Sequence, residues 1–135
     1  MLPPMIESPP WIAIVDDDLS VLSSLSRLLR SRALRAKTYG SAQDFLAVLP
    51  DGLPGCLIVD LQMPGMTGLE LLQRMKLQGI RIPTIIITAH DDPAVRERCK
   101  STGAIAFLSK PLQDTSLFAA INNAGTIDVN HSHDA

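Results

Sequence analysis

Five short apolar runs, each followed by a segment with helical periodicity, constrain the fold of this chain more than any other feature. The runs are WIAIV (11–15), LRAKTY (34–39), CLIV (56–59), PTIIIT (83–88) and IAFLS (105–109). Their length and β-branched content are typical of strands, although the second run is more polar than the others. The first helical segment illustrates the periodicity, because Leu22, Leu25 and Leu29 form one apolar stripe.

The helical segments alternate regularly with these runs. They are LSVLSSLSRLLRS (19–31), SAQDFLAVL (41–49), TGLELLQRMKLQG (67–79), PAVRERCKSTG (93–103) and TSLFAAINNAG (115–125). Apolar strands joined by helical crossovers predict a parallel sheet that is covered on both faces. Because such crossovers are right-handed, the sequence predicts a doubly wound α/β sandwich of three layers.

Length and composition fit a single globular domain. The chain has 135 residues, of which we assign 11–125 to the domain. Its apolar share of 46% and charged share of 19% are ordinary for a globular protein. The net charge of −2 favours neither direct binding to nucleic acid nor attachment to an anionic membrane. No apolar run reaches the roughly 18 residues that a membrane span needs.

The two ends of the chain are predicted to be disordered. Residues 1–10 contain four prolines and no basic residue, so they suit a loose leader better than a secretory signal. Residues 126–135 form a polar tail without periodicity. The two cysteines, Cys56 and Cys99, are expected to be buried and reduced, which favours a cytoplasmic protein.

Polar residues follow the apolar runs, at positions that a parallel sheet brings to one edge. They are Asp16, Asp17 and Asp18 after the first run, Asp60 after the third, Thr88 at the end of the fourth, and Lys110 with Pro111 after the fifth. Ligands of such sheets bind at the carboxyl ends of the strands. The sequence therefore predicts a functional site at this edge.

The three consecutive acids exceed what a helix start requires. One of them caps the helix that follows, and we assign that role to Asp18, with Asp17 as the alternative. Clustered carboxylates repel one another unless a cation joins them. A few oxygen ligands completed by water suit Mg²⁺, and the alternating ligands of a calcium loop are absent from the sequence. We therefore predict a Mg²⁺ site.

Asp60 is free to take part in chemistry. Thr67 can cap the next helix, and Glu70 three residues later completes a capping box, so Asp60 is not needed there. A carboxylate beside Mg²⁺ can attack phosphorus and hold an acyl phosphate. The metal and a lysine would neutralise the transferred group, and a hydroxyl could bond one of its oxygens. Lys110 and Thr88 supply these two groups.

Four segments together resemble the receiver domain of bacterial two-component response regulators. They are IVDDD (14–18), LIVDLQMPGMTGLELL (57–72), IIITAH (85–90) and GAIAFLSKP (103–111). Their spacing is that of the family, and the loop after Asp60 is most similar to FixJ-type receivers. The resemblance implies a five-stranded (βα)5 fold of the flavodoxin-like, CheY-like type, with strand order 2-1-3-4-5.

Matched residue by residue, the resemblance implies that Asp60 is the phosphate acceptor. It implies that Asp17 binds Mg²⁺ directly and that Asp16 does so partly through water. Asp60 and the main-chain carbonyl of Gln62 would complete the protein ligands of the metal.

The resemblance also implies a switch. Thr88 would bond the phosphoryl group, and Lys110 would pair with the acceptor or its phosphate, with a cis peptide bond to Pro111. Phe107 matches an aromatic position that rotates inward when Thr88 moves toward the phosphate. The face made by the fourth helix, the fifth strand and the fifth helix would then change shape.

The implied partners are those of a signalling protein. A sensor histidine kinase would donate the phosphoryl group, and the output would be a DNA-binding domain, a protein target or a homodimer formed on phosphorylation. The implied catalysis is confined to phosphorylation and dephosphorylation of Asp60, so the chain is not an enzyme in the usual sense. A short, mostly polar segment of ten residues follows residue 125, which fits either a stand-alone receiver or a domain of a longer regulator.

Two alternatives predict different behaviour. A Mg²⁺-dependent phosphatase of the haloacid-dehalogenase class needs Asp-x-Asp, which residues 16–18 formally satisfy with Asp16 as nucleophile. The chain lacks the later acidic motif of that class and room for a cap domain. The second alternative is an interaction module that keeps the fold without phosphorylation, and the intact acids, Thr88 and Lys110 argue against it.

Two further features stand outside the predicted site. His131 and His133 in the tail are expected to be solvated rather than to bind metal. A basic run surrounds the end of the first helix, where cations compensate the helix dipole or dock a partner. The run consists of Arg27, Arg30, Arg32, Arg35 and Lys37.

Overall fold

A five-stranded parallel sheet forms the centre of the molecule in a computed structural model that describes residues 10–127. The strands are β1 (Trp11–Val15), β2 (Arg35–Tyr39), β3 (Cys56–Asp60), β4 (Thr84–Thr88) and β5 (Ala104–Ser109). They pair in the order β2-β1-β3-β4-β5, and every pairing is parallel. The predicted fold class and strand order are therefore confirmed.

The helices cover both faces of the sheet, and the first and third begin at capping residues that the sequence predicted. They are α1 (Leu19–Ser31), α2 (Ala42–Val48), α3 (Gly68–Leu77), α4 (Pro93–Thr102) and α5 (Asp114–Asn123), with a short 3-10 turn at Leu49–Asp51. Asp18 rather than Asp17 caps α1, because its carboxylate accepts from the Ser20 N–H. Thr67 and Glu70 form the predicted capping box of α3. Within the described part of the chain, every helix is too short or too polar to cross a bilayer.

The core has two halves because successive side chains of a buried strand point to opposite faces. Ile12, Ile14 and Ile58 pack against α1 and α5 on one face. Val15 and Val59 pack against α2, α3 and α4 on the other. The strands β3 and β4 are buried throughout, which fixes the position of the residues at their carboxyl ends.

The two cysteines lie on opposite faces of the sheet. Cys56 belongs to the cluster under α1 and α5, and Cys99 is the buried residue of α4. Both are free thiols, as predicted, and burial raises the pKa of Cys56 to about 12. Cys99 and the half-buried Val95 are the apolar anchors of α4, so this helix is held more weakly than its neighbours.

The C-terminal boundary of the domain differs from the prediction. Thr126 and Ile127, assigned to the tail from sequence, pack against the domain: Ile127 is 6% exposed, and the Thr126 hydroxyl donates to the Gly55 carbonyl. A few scattered apolar residues in a polar segment give no helical or strand periodicity, which is why the sequence did not reveal this packing. Residues 1–9 of the predicted leader and residues 128–135 of the predicted tail, which include His131 and His133, lie outside the described residues.

Candidate functional site

Asp60 is the last residue of the central strand β3 and is 4% exposed. The start of α3 packs directly against it, because a Cβ at Gly68 would lie 2.6 Å from the Asp60 carbonyl oxygen. The Gly68 N–H also donates to the carbonyl of Leu61. Glycine at position 68 therefore lets the strand end and the helix start approach closely, which fixes the Asp60 backbone.

Three carboxylates meet at this edge of the sheet. Asp16 is fully buried, Asp17 is exposed, and one oxygen from each of Asp16, Asp17 and Asp60 lies within 4.8 Å of the others. The Asp16 Oδ1 accepts from the Asp18 N–H at 2.9 Å. The predicted acids are thus gathered in one cluster whose oxygens a single cation could bridge.

Lys110 lies at the same edge and links two of these acids. Its Nζ donates to the Asp16 Oδ2 at 3.1 Å and lies 3.4 Å from the Asp60 Oδ1. Burial lowers the pKa of Lys110, but the hydrogen bond to Asp16 and the charge of Asp60 outweigh it and raise the pKa above its ordinary value. The peptide bond between Lys110 and Pro111 is cis.

The Asp60 carboxylate is left incompletely satisfied. Among residues 10–127, its Oδ1 finds no hydrogen-bond partner although the atom is buried. Burial and then the charge of Asp16 raise the pKa of Asp60, and the charge of Lys110 offsets only part of this. One lysine therefore faces two buried carboxylates. A hard divalent cation with oxygen preference, such as Mg²⁺, fits this donor set.

Thr88 ends the neighbouring strand β4 and is fully buried. Its hydroxyl lies 3.0 Å from the Gln62 Oε1 and 2.9 Å from the His90 carbonyl oxygen, and it accepts from the His90 N–H at 3.1 Å. A hydroxyl has one proton, so it donates to one of these acceptors at a time. The Thr88 hydroxyl is therefore held in place by two loops.

The role of the Gln62 side chain was missed by sequence reasoning, which considered only its main-chain carbonyl. The signal available was position, because Gln62 and His90 each lie two residues after a residue of the predicted site. Nothing in their residue types pointed to Thr88. The main-chain carbonyl of Gln62 as a metal ligand stays a prediction.

Phe107 lies apart from the carboxylates, on the edge strand β5 beside Ile86 of β4. It is half-buried and packs against the cluster under α3 and α4. The Arg96 guanidinium lies over its ring, with Cζ 5.3 Å from the ring centroid. Arg96 is also ion-paired with Asp91 in the loop after β4. Sequence reasoning singled out Phe107 as the aromatic switch position but did not predict that Arg96 lies over its ring.

Two cations of the basic run around α1 have aromatic partners away from this site. The Arg32 Cζ lies 4.2 Å from the centroid of the Phe118 ring, and the Lys37 Nζ lies 4.4 Å from that of the Trp11 ring. These contacts give part of the run a structural role.

A family model and two curated relatives match most of this chain. A family model described as the response regulator receiver domain matches residues 12–122. The transcriptional regulatory protein FixJ of Bradyrhizobium diazoefficiens is 40% identical over 113 residues, which cover 84% of this chain and 55% of that protein. The response regulator protein TmoT of Ectopseudomonas mendocina is 42% identical over 113 residues, which cover 84% of this chain and 51% of that protein.

A solved structure agrees with these relatives. The crystal structure of FixJ-N has a TM-score of 0.80 and 38% identity, and the match covers 87% of this chain and 94% of that one. The chain spans about half the length of the two curated relatives.

Proposed function

This chain belongs to the family of response regulator receiver domains, and we propose that Asp60 accepts a phosphoryl group from a sensor histidine kinase. In that reaction an Asp60 carboxylate oxygen attacks phosphorus and forms a P–O bond. The P–N bond to the donor imidazole breaks, and the imidazole takes up a proton as it leaves. The product is an acyl phosphate on Asp60, which water later hydrolyses to the carboxylate and inorganic phosphate.

The observation that carries this proposal is the difference between the two buried carboxylates. Both oxygens of Asp16 are engaged, one by the Asp18 N–H and one by Lys110. The Asp60 Oδ1 is buried without a hydrogen bond from any residue that the structure describes. Asp60 is therefore less fully hydrogen-bonded than Asp16, because among the described residues its Oδ1 meets only the Lys110 ammonium at 3.4 Å. The dehalogenase-like alternative would instead use Asp16, the carboxylate whose oxygens are both engaged. Family membership also argues against that alternative.

Asp16, Asp17 and Asp60 would hold Mg²⁺, together with the main-chain carbonyl of Gln62. When bound, the ion supplies charge neutralisation for the transferred group. The chain supplies the other positive charge through Lys110, which lies near the Asp60 carboxylate and is kept protonated by its acidic neighbours. Thr88 provides a hydroxyl to bond a phosphoryl oxygen.

The signal leaves the site through the face that contains Phe107. A phosphoryl group adds charge and acceptor oxygens that compete for the Thr88 hydroxyl. As Thr88 turns toward them, Phe107 moves inward, and the surface of α4, β5 and α5 changes. The weak anchoring of α4 supports this element as the movable one.

The output of this surface is a partner or a second domain. FixJ is by name a transcriptional regulatory protein and is nearly twice as long as the region matched here, which supports a DNA-binding output. A protein target and a homodimer formed on phosphorylation are the other outputs that this face could serve. The domain itself takes in residues 11–125 and, from the packing of Ile127, extends at least two residues further.

Incubation with Mg²⁺ and a small phosphodonor such as phosphoramidate tests the proposal. Intact-mass measurement is expected to find one added phosphoryl group on the wild type and on Asp51→Asn, an exposed control. Asp60→Asn is expected to stay unlabelled. Equal labelling of Asp60→Asn and the wild type would contradict the assignment, and no labelling of any protein would favour the interaction module.

A further inference from the structure

We propose that Arg96 is a positioning residue that holds Phe107 in the arrangement of the unphosphorylated protein and so opposes the switch. The inference rests on the proposed function, because it requires Phe107 to move when Asp60 is phosphorylated. Phosphorylation of Asp60 itself does not require Arg96.

The first support is the cover that Arg96 provides for the Phe107 ring. The Cζ to centroid distance of 5.3 Å lies within the range of about 6 Å over which a guanidinium is attracted to an aromatic face. Phe107 is only half-buried because β5 is an edge strand, so Arg96 covers a ring that would otherwise meet water. An inward rotation of Phe107 would remove the ring from this cation.

The second support is the ion pair that fixes the guanidinium. Arg96 pairs with Asp91, and the two side chains are 46% and 42% exposed. Asp92, the next residue, caps α4 by accepting from the Ala94 N–H at 2.9 Å. The loop after β4 therefore fixes both the start of α4 and the direction of the Arg96 side chain.

The third support is the connection of this loop to the phosphorylation site. The loop begins at Thr88, whose hydroxyl bonds both the N–H and the carbonyl of His90. If Thr88 turns toward a phosphoryl oxygen, these bonds break and the segment carrying Asp91 is released. Arg96 then loses its ion-pair partner at the time when Phe107 moves away. The cation contact and the ion pair thus favour the same resting state.

The size of the effect follows from the exposure of the contact. A cation over an aromatic ring at a half-exposed site shifts a two-state equilibrium by about two- to fivefold. Removing Arg96 is therefore expected to raise the population of the switched state by that factor. Any ligand that binds the switched state better should bind more tightly by a similar factor.

Binding of beryllofluoride in the presence of Mg²⁺, followed by NMR titration, measures this population. We expect Arg96→Gln to lower the apparent Kd about two- to fivefold relative to the wild type. Arg98→Gln, which removes an exposed arginine from the same helix, is the matched control for charge and should not lower Kd. Loss of a positive charge alone would weaken binding of this anion, so the expected direction is opposite to a plain charge effect.

A double-mutant cycle tests the route through Phe107. In a Phe107→Leu background, Arg96→Gln is expected to have no effect on Kd, because the ring that Arg96 covers is gone. A persistent effect in that background, an equal shift in Arg98→Gln, or unchanged or weaker binding by Arg96→Gln would overturn the inference. Failure of the wild type to bind beryllofluoride would overturn the proposed function as well. Failure of the Arg96 inference alone would leave wild-type binding intact, so the two results can be told apart.

Discussion

At the scale of single residues, the site is a set of carboxylates that are satisfied to different degrees. Asp16 has a partner for each oxygen, whereas the Asp60 Oδ1 has the Lys110 ammonium at 3.4 Å and no hydrogen bond from any residue between 10 and 127. A buried polar atom without a hydrogen bond costs about 1–3 kcal/mol of stability. If Asp60 is the phosphate acceptor proposed above, function and stability conflict at this residue.

Asp60→Asn is expected to stabilise the protein against urea at pH 7 without divalent cations, by about 1–3 kcal/mol. The cause is the raised pKa of Asp60: the folded state binds its proton more tightly than the unfolded chain, so stability falls as the pH rises from the ordinary carboxyl pKa through the raised one. The gain from Asp60→Asn should accordingly be full above the raised pKa and shrink as the pH falls toward the ordinary one.

Asp51→Asn is the control for this measurement, because its carboxylate is exposed in the short 3-10 turn. Its effect should stay within about 0.5 kcal/mol at pH 7 and also as the pH is lowered toward the ordinary carboxyl pKa. A less stable Asp60→Asn at neutral pH would show that the carboxylate is satisfied in a way that the distances do not reveal.

At the scale of elements, the sequence predicted every strand and α-helix among residues 10–127, with boundary errors of a residue or two, but not the 3-10 turn at Leu49–Asp51. Central strands are apolar throughout because both faces are covered, which makes β1, β3 and β4 easy to recognise. The strand β3 extends to Asp60, one residue beyond the predicted end, because the ladder uses main-chain groups: the Leu61 N–H donates to the Ile87 carbonyl. A polar side chain does not end a strand whose backbone is still paired.

The end of α1 contains a strained residue that sequence periodicity did not indicate. Ala33 has a φ of 61°, in the left-handed region that favours glycine. The Leu34 N–H donates to the Leu29 carbonyl at 3.0 Å, and the Ala33 N–H to that of Arg30 at 2.9 Å. These bonds are those of a Schellman motif, in which glycine is the usual residue at the position of Ala33.

Ala33→Gly is expected to raise the free energy of unfolding by about 0.5–1 kcal/mol, because it relieves the Cβ strain at that φ. The same change at Ala119, an exposed position inside α5, should lower it by a similar amount. Thermal and urea unfolding of the two variants measure both values. Destabilisation by both changes would mean that the loss of Cβ contacts outweighs the relief at position 33.

At the scale of the whole molecule, contacts between distant loops were the part that the sequence could not predict. The Thr88 hydroxyl meets the Gln62 side chain across 26 positions, and this contact depends on how two loops are shaped. The contact of the Arg96 guanidinium with the Phe107 ring likewise joins two separate elements. Motif spacing places residues at the edge of a sheet, but which side chains then touch is decided by packing around them.

The C-terminal segment is a second feature of the whole molecule, because Thr126 and Ile127 pack beside Gly55, just before the start of β3. Shortening the chain to end at residue 125 is expected to lower the free energy of unfolding by about 2–4 kcal/mol relative to a chain ending at residue 127, since Ile127 leaves the core. Calorimetry of the two shortened chains measures the difference. Ile127→Ala in the full chain should reproduce most of it, and equal melting temperatures would contradict the packing of Ile127.

The three contacts of the Thr88 hydroxyl bear on how often the unphosphorylated protein would visit the switched conformation. If this buried group rotates with no phosphoryl oxygen to meet it, the bonds with Gln62 and His90 are lost and nothing replaces them. A loss of about 1–3 kcal/mol makes such spontaneous excursions about 5- to 150-fold rarer. If Thr88 is the switch residue proposed above, these bonds act as a noise filter: thermal fluctuation would seldom imitate phosphorylation, and basal output would stay low.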